Sequence, residues 1–196
     1  NGVDSHVVLT AQGQDVTRLR GSIIDRDTRF TAGKPYQIFD SLVVSPGITL
    51  TLEPGTRLYF HDKAYMRVDG TLHSLGTADA HVDMTGDRTG NVVGQISFDI
   101  MSRQWGGVFF SSGSKGNIMA HTDLRNTTYG VTVDGDGSTT TEDPALTLLN
   151  SRLHNSGDVV LYSSHASIVA AGTEFAEGSY GLVSLIGGSH RFDHCT

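Results

Sequence analysis

The chain has 196 residues, a formal net charge of −7, 24 glycines and one cysteine, enough for a single domain with a continuous core. The acidic balance argues against a nucleic-acid surface, against attraction to anionic lipid, and against capture of acidic polysaccharide without bridging cations. A lone cysteine excludes an internal disulfide.

The run Val7-Val8-Leu9-Thr10-Ala11 is β-prone and ends at Gly13. It reads either as an N-terminal cap or, preferred, as the last strand of a preceding immunoglobulin-like β-sandwich, so residues 1–15 are set apart from residues 16–196. Residues 16–24 give a strand closed by Asp25-Arg26-Asp27, and residues 30–39 lead into the first regular coil. Short strands then follow at 42–44, 48–52 and 57–60, separated by Ser45-Pro46-Gly47 and Glu53-Pro54-Gly55. Pro fixes one turn residue and Gly supplies the positive φ beside it, which suits the corners of a solenoid. Strands at 65–68, 72–75 and 82–84 complete a second coil.

Residues 88–103 break this rhythm and are expected to project as a loop, although Ile96, Phe98, Ile100 and Met101 alternate and could pack back on the coils as a strand. Trp105 opens the next regular stretch. It is expected to cover or cap a coil, with sugar stacking as the lesser reading.

From residue 117 the chain repeats itself. Met119, Leu148, Ala170 and Phe192 form one apolar column, Thr122, Ser151, Thr173 and Cys195 a small-residue column, and Leu124, Leu153 and Phe175 a third. Val108, Val131, Val160 and Leu182 make a fourth, and Phe110, Val133, Tyr162 and Ser184 a fifth. The step is about 22 residues, and the one longer step holds the polar insertion 134–143. Apolar residues two apart in short runs are strand signals, and no helical period is sustained. A right-handed parallel β-helix, an all-β solenoid in which each coil bonds to those above and below, is the expected fold. Cys195 is expected to be a buried, inert thiol. Asp123, Arg152 and Glu174 should point outward in an acid, base, acid ladder that neutralises itself and leaves no carboxylate pair at neighbouring positions.

The run Leu50-Thr51-Leu52-Glu53-Pro54-Gly55-Thr56-Arg57-Leu58-Tyr59-Phe60, with Val68-Asp69-Gly70-Thr71-Leu72, Leu75-Gly76-Thr77 and Gln104-Trp105-Gly106-Gly107-Val108, resembles right-handed parallel β-helix proteins of the Bacteroidetes-type surface lipoprotein group. The resemblance covers about residues 16–196. It implies an exported, lipid-anchored precursor with a β-sandwich ahead of the helix and a place on the outer membrane, facing outward. It brings no catalytic residue. No signal peptide, lipid-attachment cysteine or transmembrane run is legible, but the chain starts without Met and stops inside a repeat. The expectation is therefore that segments precede and follow it, including the lipid anchor and at least one more coil or a cap.

Chemistry-bearing residues are sparse. Asp134-Gly135-Asp136-Gly137-Ser138 begins like a Ca²⁺ loop, but Ala145 stands where a bidentate Glu belongs, so Asp134, Asp136 and Ser138 are weak metal candidates and no other cofactor is expected. His121, Asn150, Gly172 and His194 share an outward corner column whose histidines lie too many coils apart to hold one metal. The expected function is a non-catalytic surface scaffold or accessory subunit of an outer-membrane protein complex. Its contacts would come from Arg88, Asn91, Phe98, Met101, Trp105, Asp134, Asp136 and Glu142, and its partner would be an outer-membrane protein or another surface lipoprotein. The alternative is a β-helix module that binds or degrades polysaccharide.

Overall fold

The computed structural model describes residues 15–88 and 90–196; the β-prone run at 7–13 lies outside them. Among the described residues the chain is all-β, with parallel sheets and one short 3-10 turn at Phe98–Ile100. Among the described residues no helix is long and apolar enough to cross a membrane.

Three parallel limbs form the frame. The first runs through β3 (Tyr36–Val44), β5 (Arg57–Phe60), β8 (Val82–Gly86), β13 (Thr122–Arg125), β16 (Arg152–Ser156) and β19 (Glu174–Gly178). The second runs through the far half of β3, then β6 (Tyr65–Val68), β11 (Val108–Phe110), β14 (Val131–Asp134), β17 (Val159–Ser164) and β20 (Gly181–Ile186). Because β3 pairs with β5 through Tyr36–Ile38 and with β6 through Ser41–Val44, these two limbs are one continuous sheet. The third limb is a separate sheet: β2 (Thr28–Phe30), β4 (Thr49–Leu52), β7 (Thr71–Leu75), β12 (Asn117–Ala120), β15 (Leu146–Leu149), β18 (Ile168–Ala171) and β21 (His190–Asp193). The chain visits the limbs in rotation, so each strand pairs with its equivalent in the next rung. The first rung starts at β1 (Thr17–Ile24), which lies parallel to β3.

Alternation within each strand sends every second side chain inward. In β4 and β5 the buried residues are Leu50, Leu52, Leu58 and Phe60, all fully inaccessible. Each such side chain contributes roughly 1.5–3 kcal/mol by leaving water. The predicted Met119, Leu148, Ala170 and Phe192 column is a true register ladder, and so is Leu124, Leu153 and Phe175. In the small column Ser151 Oγ donates to Met119 O at 3.0 Å or Leu149 O at 2.9 Å, and Thr173 Oγ1 donates to Ala171 O at 3.2 Å. The buried hydroxyls thus find the local backbone partners they need.

Three expectations are corrected. In the fourth and fifth columns the partners of Val131 and Val133 are Leu161 and Ser163, followed by Val183 and Leu185. The corner at Gly157-Asp158 holds one more residue than the corner before it, and a one-residue slip exchanges the two faces of a strand. Cys195 is only half-buried. Trp105 is fully buried, stacked on Phe60 with ring centroids 4.0 Å apart, and its Nε1 donates to Arg125 O at 2.8 Å; it is core, not contact surface.

The corners explain several isolated polar residues. Gly47 and Gly55, each after a proline, have φ of 75° and 77°, as the Pro-Gly signal requires. The column His121, Asn150, Gly172 and His194 is left-handed throughout, with φ between 44° and 60°. A second left-handed column, Asn126, Asn155 and Glu177, turns the chain out of β13, β16 and β19. Asn tolerates this conformation best among residues with a Cβ.

Candidate functional site

The outward face of the first limb carries the densest chemistry. Register places Arg57, Asp83, Asp123, Arg152 and Glu174 in one row across β5, β8, β13, β16 and β19. The predicted Asp123, Arg152, Glu174 ladder is there, with Arg152 Nε 3.1 Å from Glu174 Oε2. The expectation of no neighbouring carboxylates is overturned, because Asp83 stands directly beside Asp123.

Arg125, two residues along β13, reconciles these charges. Its Nη1 lies 2.6 Å from Asp83 Oδ1 and 3.0 Å from Asp123 Oδ1, and its Nε lies 2.9 Å from Asp99 Oδ1. His154 extends the cluster, with Nε2 3.2 Å from Asp123 Oδ1 and Nδ1 3.5 Å from Glu177 Oε2. Asp83, Asp99, Asp123, Arg125 and His154, with Arg57, His81 and Arg152, line a trench of about 430 Å³. Partial burial pulls the Asp123 pKa upward, but hydrogen bonding to His154 and the Arg125 charge outweigh it and hold the carboxyl below the ordinary range. Burial pulls the Arg125 pKa down, yet the Asp99 hydrogen bond and the Asp83 and Asp123 charges raise it.

Asp99 does not belong to the wall. It comes from the insertion at 88–103, which is neither a plain loop nor a strand packed back on the coils. It is a two-stranded antiparallel hairpin, β9 (Asn91–Val93) with β10 (Ile96–Ser97), followed by the 3-10 turn. Polar groups of the wall hold its base. Asn126 Nδ2 donates to Asp99 O at 2.7 Å and Met101 O at 3.0 Å, while Asn155 Nδ2 donates to Asp99 O at 3.2 Å. Arg103 and Gln104 donate their backbone N–H groups to Thr127 O and Asn126 O. The Arg103 side chain crosses Gly157, where Arg103 Cγ leaves no room for a Cβ, and its Nη2 donates to Gly157 O at 2.6 Å. The corner residue that shifts the register is thus also a seat for the insertion.

The insertion exposes apolar side chains both on its hairpin and in and beside its 3-10 turn. Val93 is 71 % exposed, Ile100 68 % and Ile96 50 %, with Val92 and Met101 also exposed. Of the contact residues expected from sequence, Arg88, Asn91 and Met101 are exposed and Phe98 is half-buried under the Arg88 guanidinium, 5.6 Å from its ring centroid.

The second excursion, 134–143, is polar and self-satisfied. Asp134, Asp136, Ser138 and Glu142 are all exposed. Asp136 Oδ1 accepts from Ser138 N at 2.9 Å and from Ser138 Oγ, and Lys115 Nζ lies 3.9 Å from Asp136 Oδ2. These hydrogen bonds hold the Asp136 pKa low. The Lys115 ammonium, which also donates to Ser138 Oγ at 2.5 Å, thus sits beside two of the three candidate ligands. Among the described residues no group of three or more His, Cys, Asp or Glu side chains is arranged to hold a metal ion.

Three carboxylates, from Asp83, Asp99 and Asp123, converge on the Arg125 guanidinium, and Asp123 and Arg125 are both shifted toward their charged forms. Their arrangement suits an electrostatic clamp that fastens Asp99, and with it the insertion, to the wall. Sequence reasoning missed Asp83, Asp99, Arg125 and His154, although Val82-Asp83-Met84 matches Thr122-Asp123-Leu124 in pattern.

No family model matches the chain, and no curated protein or solved structure is found to be similar to it.

Proposed function

We propose that this chain is a right-handed parallel β-helix whose rigid frame displays the clamped 88–103 insertion to a protein partner, as a non-catalytic scaffold or accessory subunit of an outer-membrane complex. The handedness follows the general preference of parallel crossover connections. The observation that carries the functional reading is the concentration of exposed aliphatic side chains, Val92, Val93, Ile96, Ile100 and Met101, on an insertion whose base is held by ionic and asparagine contacts. An apolar surface costs solubility unless something covers it, and a pre-ordered element binds with less entropy loss than a loose one. The location, an outward-facing lipoprotein on the outer membrane, rests on the sequence resemblance.

Affinity purification of the tagged full-length protein from mildly solubilised envelopes tests this, with Val93→Asp/Ile100→Asp alongside wild type. The reading expects a stoichiometric envelope protein with wild type that is lost from the variant at equal yield. A partner retained unchanged by the variant, or wild type recovered alone, overturns it.

A further inference from the structure

The second limb carries a row of aromatic side chains that the insertion does not use. On its outward side the Tyr65 ring meets Phe109 edge-on, with centroids 6.0 Å apart, and Phe109 lies 6.2 Å from Tyr129. Tyr162 continues the face in β17, in register with Thr132 and Ser184, and Tyr180 occupies the corner of the next rung. None of these rings is needed to fill the interior: Tyr129 is 52 % and Tyr180 79 % exposed. Asp158 occupies the corner between the rungs of Tyr129 and Tyr180. Its Oδ1 accepts from Val159 N at 2.9 Å, and it makes no ion pair with any described residue. Tyr129, Tyr162 and Asp158, with Thr132, Val159 and Ser184, line a groove of about 350 Å³.

We infer that this row binds an uncharged polysaccharide lying along the stacked rungs. Aromatic faces pack against the C–H faces of pyranose rings, and successive rungs advance about 4.8 Å, comparable to the length of one sugar ring. An extended chain therefore meets a new rung with each residue or so. The Asp158 carboxylate accepts hydrogen bonds from sugar hydroxyls, and Thr132 and Ser184 add hydroxyls of their own. The net charge of −7 and the carboxylate in the groove oppose a uronate polymer. A basic peptide is the less favoured ligand, since the groove offers it a single carboxylate beside two tyrosine rings. The site is separate from the insertion, which is fastened to the first limb, and does not depend on the docking role proposed for it.

Affinity electrophoresis in native gels cast with hydroxyethylcellulose, xyloglucan, galactomannan or soluble starch provides the test. Polygalacturonate serves as an acidic control, and fluorescent polylysine, followed by anisotropy, as a basic one. The expected result is salt-insensitive retardation by at least one neutral polymer. Tyr129→Ala/Tyr180→Ala should weaken it about tenfold and Asp158→Asn about threefold, both with melting unchanged, while Val93→Asp/Ile100→Asp leaves it intact. Asparagine keeps the acceptor for Val159 N–H, so a loss in that variant reports on the ligand. No retardation by any neutral polymer overturns the inference, as does retardation that survives the double tyrosine variant. Binding confined to polygalacturonate or to polylysine overturns it too.

Discussion

The two excursions from the frame solve the same problem in different ways. The insertion at 134–143 is polar and is held by its own and the frame's hydrogen bonds: Thr140 N donates to Asp143 O, and Ser167 ties down the buried Thr139 through Ser167 N to Thr139 Oγ1 at 2.8 Å and Ser167 Oγ to Thr139 O at 2.7 Å. The insertion at 88–103 keeps exposed apolar groups on its surface and relies on the wall for its order, through Arg125, Asn126, Asn155 and the buried Trp105 at its root. The exposed residues of such a polar turn can be changed with little consequence. An apolar element held by charges depends on every one of its fasteners.

Substitutions at the fasteners should separate the two excursions. Trp105→Ala removes a fully buried ring stacked on Phe60 and should cost about 3–5 kcal/mol, read by denaturant unfolding. It should also speed proteolysis within 88–103. Arg125→Met leaves Asp83, Asp99 and Asp123 without their shared counter-charge and should cost about 3 kcal/mol at neutral pH. The sign of its pH dependence follows from Asp123, whose folded pKa lies below its unfolded value of about 4. In wild type the stability from this group is present above pH ~4 and lost as pH falls through the folded pKa. In the variant, protonation relieves the repulsion instead. Thermal melts should therefore show the gap between the two proteins narrowing from neutral pH to about pH 4.

A smaller effect is expected at Asn126→Gly, which tolerates the left-handed backbone but drops both bonds to the insertion. A loss of about 1–2 kcal/mol should come with faster amide exchange confined to the insertion. Asp136→Asn in the polar excursion marks the other end of the scale. Its partners are exposed, and stability should stay within about 0.5 kcal/mol of wild type. A fall at Asp136 as large as that at Arg125 would erase the distinction between the two excursions.

The all-β parallel architecture was legible because its signal is repetition. Met119, Leu148, Ala170 and Phe192 recur with their neighbours, and each Pro-Gly pair marks a corner. The register from β17 onward was not legible, because the extra corner residue near Gly157 leaves Val160 and Leu161 both apolar, and either fits an inward column. The charged cluster was hidden for a different reason. Asp83 and Asp123 are neighbours only because the whole 88–103 insertion leaves the frame between them, and Arg125 gains its meaning from an aspartate contributed by that insertion. Long-range pairings of this kind leave only a faint local trace, here the shared pattern of Val82-Asp83-Met84 and Thr122-Asp123-Leu124.

The central claim is that the apolar insertion is held in one conformation by the wall beneath it. Amide hydrogen exchange across residues 90–104 tests this most directly, because the Phe98, Met101, Arg103 and Gln104 N–H groups each have a backbone acceptor. These amides should exchange slowly in wild type, and those of Phe98 and Met101 should lose protection in Arg125→Met while β13 and β16 keep theirs. Exchange at the rate of an unstructured peptide in wild type would contradict the claim, since an insertion that is already loose has nothing for Arg125 to hold.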